Sequence, residues 1–191
     1  MATPEAMAAC REASESPPTP SRAYAEPNSY AYRNYCGPGA SQVLISNWTG
    51  NVPGIDTLAS QEYTNPASGT FLSNMVGPLN SDAGTGGFYV NQVAGSQGTF
   101  NSWVGSDIYN AHRPLITAIQ TMASGYRLNG WSLNAPHIVS IYGFNFVTAG
   151  AGYISYVETS GTVAGTTATG RNNYSADPFW SLVYANNGQI W

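Results

Sequence analysis

The apolar residues of this chain keep one period up to about residue 110 and another after it, and that switch constrains the fold more than any single motif. From Pro38 onward, Ala40, Val43, Leu44 and Trp48 recur at helical spacing, with Pro38 suited to a first turn and Gly50 to a stop. Phe71, Leu72, Met75, Val76 and Leu79 mark a second short helix. Trp103, Val104, Ile108 and Tyr109 mark a third, which must end before Pro114. Beyond that point residues 115–119, 138–146 and 153–157 read as strands, and Gly150-Ala151-Gly152 as the loop of a β-hairpin. Residues 179–184 read as a closing helix with Asp177 as its cap and Pro178 at its first position. Helices followed by an antiparallel sheet define an α+β class.

A length of 191 residues with 42% apolar content suits one domain plus a tail. Residues 1–28 form that tail: Glu12-Ala13-Ser14-Glu15-Ser16-Pro17-Pro18-Thr19-Pro20 has no hydrophobic period and too much proline to fold alone. The domain is then 29–191. A disulfide between Cys10 of the tail and Cys36 is conceivable and would be inhibitory. Charged residues are only 8% of the chain, every basic residue is an arginine, and the net charge is -4. No basic cluster exists to neutralise phosphates, so nucleic acid is not an expected partner. No apolar run is long enough to span a membrane. A surface made polar by Ser, Thr, Asn, Gln and Tyr is compatible with a secreted bacterial protein, and an extracytoplasmic location is the expectation. No signal-peptide core is visible, so export would place the start of this numbering after a removed signal.

Chemistry enters at Asn34-Tyr35-Cys36-Gly37-Pro38-Gly39-Ala40. A thiol is nucleophilic as its anion, and a helix N-terminus offers unpaired amides and a positive dipole end to such an anion. The same geometry aims the backbone amide of Cys36 at an incoming carbonyl oxygen, as half of an oxyanion hole. Gly37 and Gly39 would keep that approach uncrowded. The alternative is a buried structural cysteine. His137 opens His137-Ile138-Val139-Ser140-Ile141-Tyr142-Gly143, and Pro136 biases the preceding Ala135 toward an extended backbone. It is either a base at the mouth of a buried strand or a hydrogen-bonded strand-end residue. His112, before Arg113-Pro114, lies in a loop with no setting for a base. The two cysteines and two histidines lack the short ligand spacing of a zinc site, so neither metal nor cofactor is expected. Ser81-Asp82-Ala83-Gly84-Thr85-Gly86-Gly87 lacks the lysine of a phosphate loop and reads as a flexible loop near the cleft. Trp131, six residues before His137, and Trp103 are candidates for a peptide cleft.

Cys36-Gly37-Pro38 before an apolar helix, then residues 137–144, then Tyr153-Ile154-Ser155-Tyr156-Val157-Glu158, together resemble the double-glycine-peptidase-like family. These are papain-fold cysteine peptidases related to the processing domains of bacteriocin exporters. The resemblance covers about residues 30 to 185. It implies a papain-like fold, with N-terminal helices packed on an antiparallel sheet, and a peptidase acting on a peptide or protein substrate. Cys36 would attack the carbonyl to give an acyl-thioester and His137 would carry the proton. The family's third member is an aspartate on the strand after the histidine. Glu158 is the matching position, one methylene longer and off by one in register, with Asn145 as the alternative. Relatives place a glutamine six residues before the cysteine to complete the oxyanion hole. Tyr30 occupies that position here, so Tyr30, Asn28 or Asn34 would have to donate instead. An amidase or transpeptidase on the same fold, or a silent module binding peptides or cell-wall material, are the other readings.

Overall fold

The structure, a computed structural model, describes residues 24–146 and 152–190. Its organising element is α1 (Cys36–Ile45), in which every residue after Cys36 is buried. Such a helix can exist only if other elements surround it. α2 (Ile55–Gln61) and α3 (Leu72–Ala83) cover one side, where Leu58, Met75 and Leu79 meet Ala40, Leu44 and Ile45. The sheet covers the other.

That sheet contains β1 (Gln92–Val93), β2 (Leu115–Gln120), β5 (Pro136–Asn145), β6 (Tyr153–Glu158), β7 (Gly170–Ser175) and β8 (Gln189–Ile190). Their order is β1-β8-β2-β5-β6-β7, antiparallel throughout. A separate short ribbon joins β3 (Met122–Ala123) to β4 (Tyr126–Arg127). Side chains alternate along the central strands, so Ile116, Ala118 and Ile138 face the α1 layer while Leu115, Ile119, Val139 and Ile141 face away. On that far face lie α4 (Gln97–Gly105) and α5 (Ala176–Tyr184), through Phe100, Val104, Phe179, Leu182 and Val183. The sheet is thus buried on both faces, which is why its strands read as continuous apolar runs. Ser140 ties the layers together by donating from Oγ to the Ala40 carbonyl at 2.8 Å.

Several local expectations change. Phe71 is not a core residue: it precedes α3 and is 73% exposed. The 81–87 segment is in part the end of α3, closed by Gly84 in a left-handed conformation (φ 67°), as helix stops commonly are. Asp177 does not cap α5. Ser175 occupies the cap position, and Asp177 sits in the first turn, accepting from Gln97 Nε2 at 2.6 Å. α4 is capped at Ser96, whose Oγ accepts from the Thr99 amide at 3.1 Å, and runs on into a wider π-type turn, Ser106–Asn110. The pairing of β5 with β6 gives the expected hairpin, though Gly150 and Ala151 lie outside the described residues. So does Cys10, and with it any Cys10–Cys36 bridge. Residues 24–28 do not stand off from the domain: the Glu26 amide donates to the Thr159 carbonyl at 2.8 Å.

Candidate active site

Cys36 is the first residue of α1, and no side chain caps that helix start. The first amides of a helix lack partners within it, so an uncapped start keeps donors at the sulfur's position. The thiol is half-buried and in no disulfide among the described residues. It lies in the wall of a cavity of about 340 Å³ that runs between the α1–α3 layer and the sheet. On one side are Arg33, Asn34 and the 68–72 segment. On the other are Ala118, Trp131, Pro136, His137, Ile138 and Ala164.

His137 is the second residue of β5, paired with Ile119 of β2. Glu158 ends β6, and the register that sets Ser140 opposite Val157 brings its carboxylate back toward the start of β5. Its Oε1 and Oε2 stand 2.9 and 3.0 Å from His137 Nε2. With Nε2 taken by the carboxylate, Nδ1 is the ring nitrogen left for Cys36, which lines the same cavity and lies close enough to favour the charged imidazole. Both side chains are sealed from water, at 2% and 0% exposure. Burial alone would drive the imidazolium toward neutrality. The charge of Glu158, the nearby Cys36 and the hydrogen bond to Glu158 outweigh burial, so His137 keeps its proton well above the ordinary histidine range.

Glu158 has a full set of partners. Trp131 Nε1 donates to Oε2 at 2.8 Å, and the Ser160 amide donates to Oε1 at 2.9 Å. The indole also lies over the imidazole, with ring centroids 4.5 Å apart. Trp131 therefore has two contacts beyond lining the cleft: it orients the carboxylate and shields the ion pair from solvent. Trp103 packs on the far-face core instead.

The other sequence candidates are placed differently. Asn145 ends β5, eight residues beyond His137, which at about 3.4 Å per residue is on the order of 27 Å away. It cannot orient the imidazole. Tyr30 is 70% exposed and does not line the cavity; its ring instead carries the Arg33 guanidinium at 3.9 Å. A tyrosine hydroxyl six residues before the cysteine is thus no substitute for a glutamine amide. Asn34 does line the cavity, but its Nδ2 donates to the Pro66 carbonyl at 2.7 Å. Gly37 and Gly39 serve packing rather than access. A Cβ on Gly37 would sit 2.6 Å from Thr70 Oγ1, and one on Gly39 would sit 2.7 Å from Thr159 Oγ1. His112 is exposed and does not line the cavity.

Two residues near the site escaped the sequence reading. Thr70 lines the cavity beside Gly37, its hydroxyl sharing a 2.7 Å hydrogen bond with that of Thr64. Glu26 is 6% exposed, and its Oε1 accepts from Thr159 Oγ1 at 2.8 Å and from Ser160 Oγ at 2.9 Å. Burial raises its pKa to about 7, against the hydrogen bond of Thr159, the charge of His137 and the hydrogen bond of Ser160. Neither residue sits in a periodic pattern, and no local motif marks it.

The sequence matches no protein-family model and no curated protein. Among solved structures it is similar to the bromelain protease from Ananas comosus in complex with the E64 inhibitor, with a TM-score of 0.51 at 12% sequence identity. The match covers 88% of this chain and 93% of that one. At that identity the likeness is one of fold: the chain has the papain-like arrangement of helices packed on an antiparallel sheet.

Proposed function

We propose that the protein is a cysteine peptidase in which Cys36 is the nucleophile, His137 the proton carrier and Glu158 the group that orients and charges the histidine. The observation that carries this reading is that Cys36, at a helix start, and His137 line one cleft, with His137 Nε2 held by Glu158. In the reactive pair the proton sits on the imidazole and the negative charge on sulfur. The thiolate attacks the peptide carbonyl, and the oxygen that gains charge turns toward the Cys36 amide. His137 then delivers its proton from Nδ1 to the departing amine as the C–N bond breaks, leaving an acyl-thioester. Water then gives a proton to the same nitrogen as its oxygen adds to the acyl carbon; the C–S bond breaks, the acid is released, and the thiolate–imidazolium pair is restored. Throughout, Glu158 keeps its hydrogen bond to Nε2 and holds the ring in place.

We assign the substrate to peptides because the cleft lining mixes apolar side chains (Phe71, Leu72, Trp131, Ile138) with hydrogen-bonding ones (Asn34, Thr70, Asn186, Gln189), as a peptide's side chains and backbone require. Membership of the double-glycine-peptidase-like group is supported by the Cys-Gly-Pro helix start and by the 137–144 strand motif. Digestion of an unfolded protein or a random peptide library, followed by mass spectrometry of the new termini, tests the reading. Cleavage by the wild type and none by Cys36→Ala is expected. Equal cleavage by both, or none by either in the reduced protein, would remove the peptidase assignment and favour a binding module in the same cleft.

A further inference from the structure

Taking Cys36, His137 and Glu158 as the catalytic group, Glu158 is held by one backbone amide among the described residues, that of Ser160. The Glu158–Ser160 turn is itself gripped from outside the sheet. Glu26 approaches from the N-terminal side, its amide donating to the Thr159 carbonyl at 2.8 Å. Its carboxyl then collects both hydroxyls of the turn, Thr159 Oγ1 and Ser160 Oγ. Two residues on, the Asn28 side chain continues the grip: Oδ1 accepts from the Val163 amide at 3.1 Å, and Nδ2 donates to Thr162 Oγ1 at 3.0 Å. Glycine is required at 39 in α1 because this assembly is wedged against the catalytic helix, a Cβ there standing 2.7 Å from Thr159 Oγ1 and 3.3 Å from Glu26 Cγ.

A buried carboxyl is costly to keep, and a merely structural anchor would be served as well by an amide or a hydroxyl. This one faces His137 of β5 and Glu158 of β6 closely enough to feel the charge of both. We propose that Glu26 is a positioning residue of the active site: through its carboxyl the N-terminal segment clasps the 159–160 turn, fixes the Ser160 amide on Glu158, and so keeps Glu158 on His137. The segment 24–28 is then part of the catalytic apparatus, although it precedes the nucleophile and none of its residues lines the cleft.

The test is the titration of the His137 imidazole followed by nitrogen NMR in the full chain, as wild type, Glu26→Ala and Glu26→Gln. His112, the other histidine, is the internal reference. Loss of the clasp in Glu26→Ala lets Glu158 drift from Nε2, so the His137 midpoint should fall by about one pH unit or more while His112 stays put. Glu26→Gln keeps an acceptor oxygen for Thr159 and Ser160 and should recover more than half of that fall. A midpoint unchanged in Glu26→Ala, with only the melting temperature lowered, would mean a structural anchor and overturn the proposal. Equal falls in both variants would mean a charge effect without positioning and overturn it too. Should Glu26→Ala fail to fold, Glu26→Gln decides: a His137 midpoint between that of the wild type and that of Glu158→Gln supports the clasp, and one coincident with Glu158→Gln refutes it. Because the imidazole titrates whether or not peptides are cleaved, a silent cleft would remove the peptidase assignment without touching this result.

Discussion

His137→Ala is expected to lower kcat/KM on the best peptide substrate by about 10²–10⁴-fold, the range that a positioned general acid–base group supplies. The thiol would remain at its helix start but would have no proton carrier for the leaving amine. Glu158→Gln should cost less at the pH optimum, because an amide oxygen can still accept from Nε2–H. Its larger effect is on the pH profile. The reactive form needs the imidazolium, and the charge of Glu158 is the foremost interaction favouring it against burial. Removing that charge lowers the pH at which the imidazolium is lost, so the alkaline limb of the kcat/KM profile should move to lower pH. Profiles of the three proteins on one fluorogenic peptide read both effects. An alkaline limb that stays in place in Glu158→Gln would contradict the assignment of Glu158.

The second large effect concerns stability. Glu62 is fully buried at the end of α2, and its Oε1 accepts from Ser41 Oγ of α1 at 2.5 Å while Oε2 has no partner among the described residues. Burial, together with the charge of Asp82, raises its pKa from 4.5 to about 8, with only the Ser41 hydrogen bond opposing. The sign follows from linkage. Below the unfolded-state value both states hold the proton and Glu62 has no effect. Between 4.5 and about 8 the unfolded chain releases a proton that the folded protein keeps, so stability falls as pH rises. At pH 7 the loss is on the order of 3 kcal/mol. Glu26, raised to about 7, and Asp107, raised by burial to about 6, act in the same direction. Glu62→Gln cannot titrate. Relative to that variant, the wild-type Tm should therefore fall by roughly 6–12 °C between pH 4 and pH 7, read by calorimetry at matched ionic strength. Parallel Tm curves would show that Glu62 ionises in the folded protein without cost.

The parts of the fold legible in the sequence are those buried on both sides. α1 and strands β2, β5 and β6 lie in the middle of the layers, so their apolar runs are dense and their bounds close to what periodicity indicates. β7 was not legible: Gly-Arg-Asn-Asn-Tyr-Ser is an edge strand whose residues alternate between half-buried and exposed, with no apolar face to detect. α2 was missed because only Leu58 and Ala59 of its seven residues are buried, too few to establish a period. At the site, Cys36, His137 and Trp131 stand out locally, as a helix start, a strand start and a nearby indole. Glu158 needed the β5–β6 register to be paired with His137. Tyr30 and Asn145 went astray because position in a motif does not say which way the chain faces. Glu26 could not be found at all, since only the folded chain brings it 133 and 134 residues across the sequence to Thr159 and Ser160.

The central claim is the thiol–imidazole pair, and its most direct test is the rate of Cys36 alkylation by iodoacetamide at pH 6, mapped by peptide mass spectrometry. Cys10, the only other cysteine, supplies an ordinary thiol in the same tube. Cys36 should be modified at least about tenfold faster than Cys10, and His137→Ala should abolish the difference. Equal rates in the wild-type protein, or an advantage that survives His137→Ala, would contradict it.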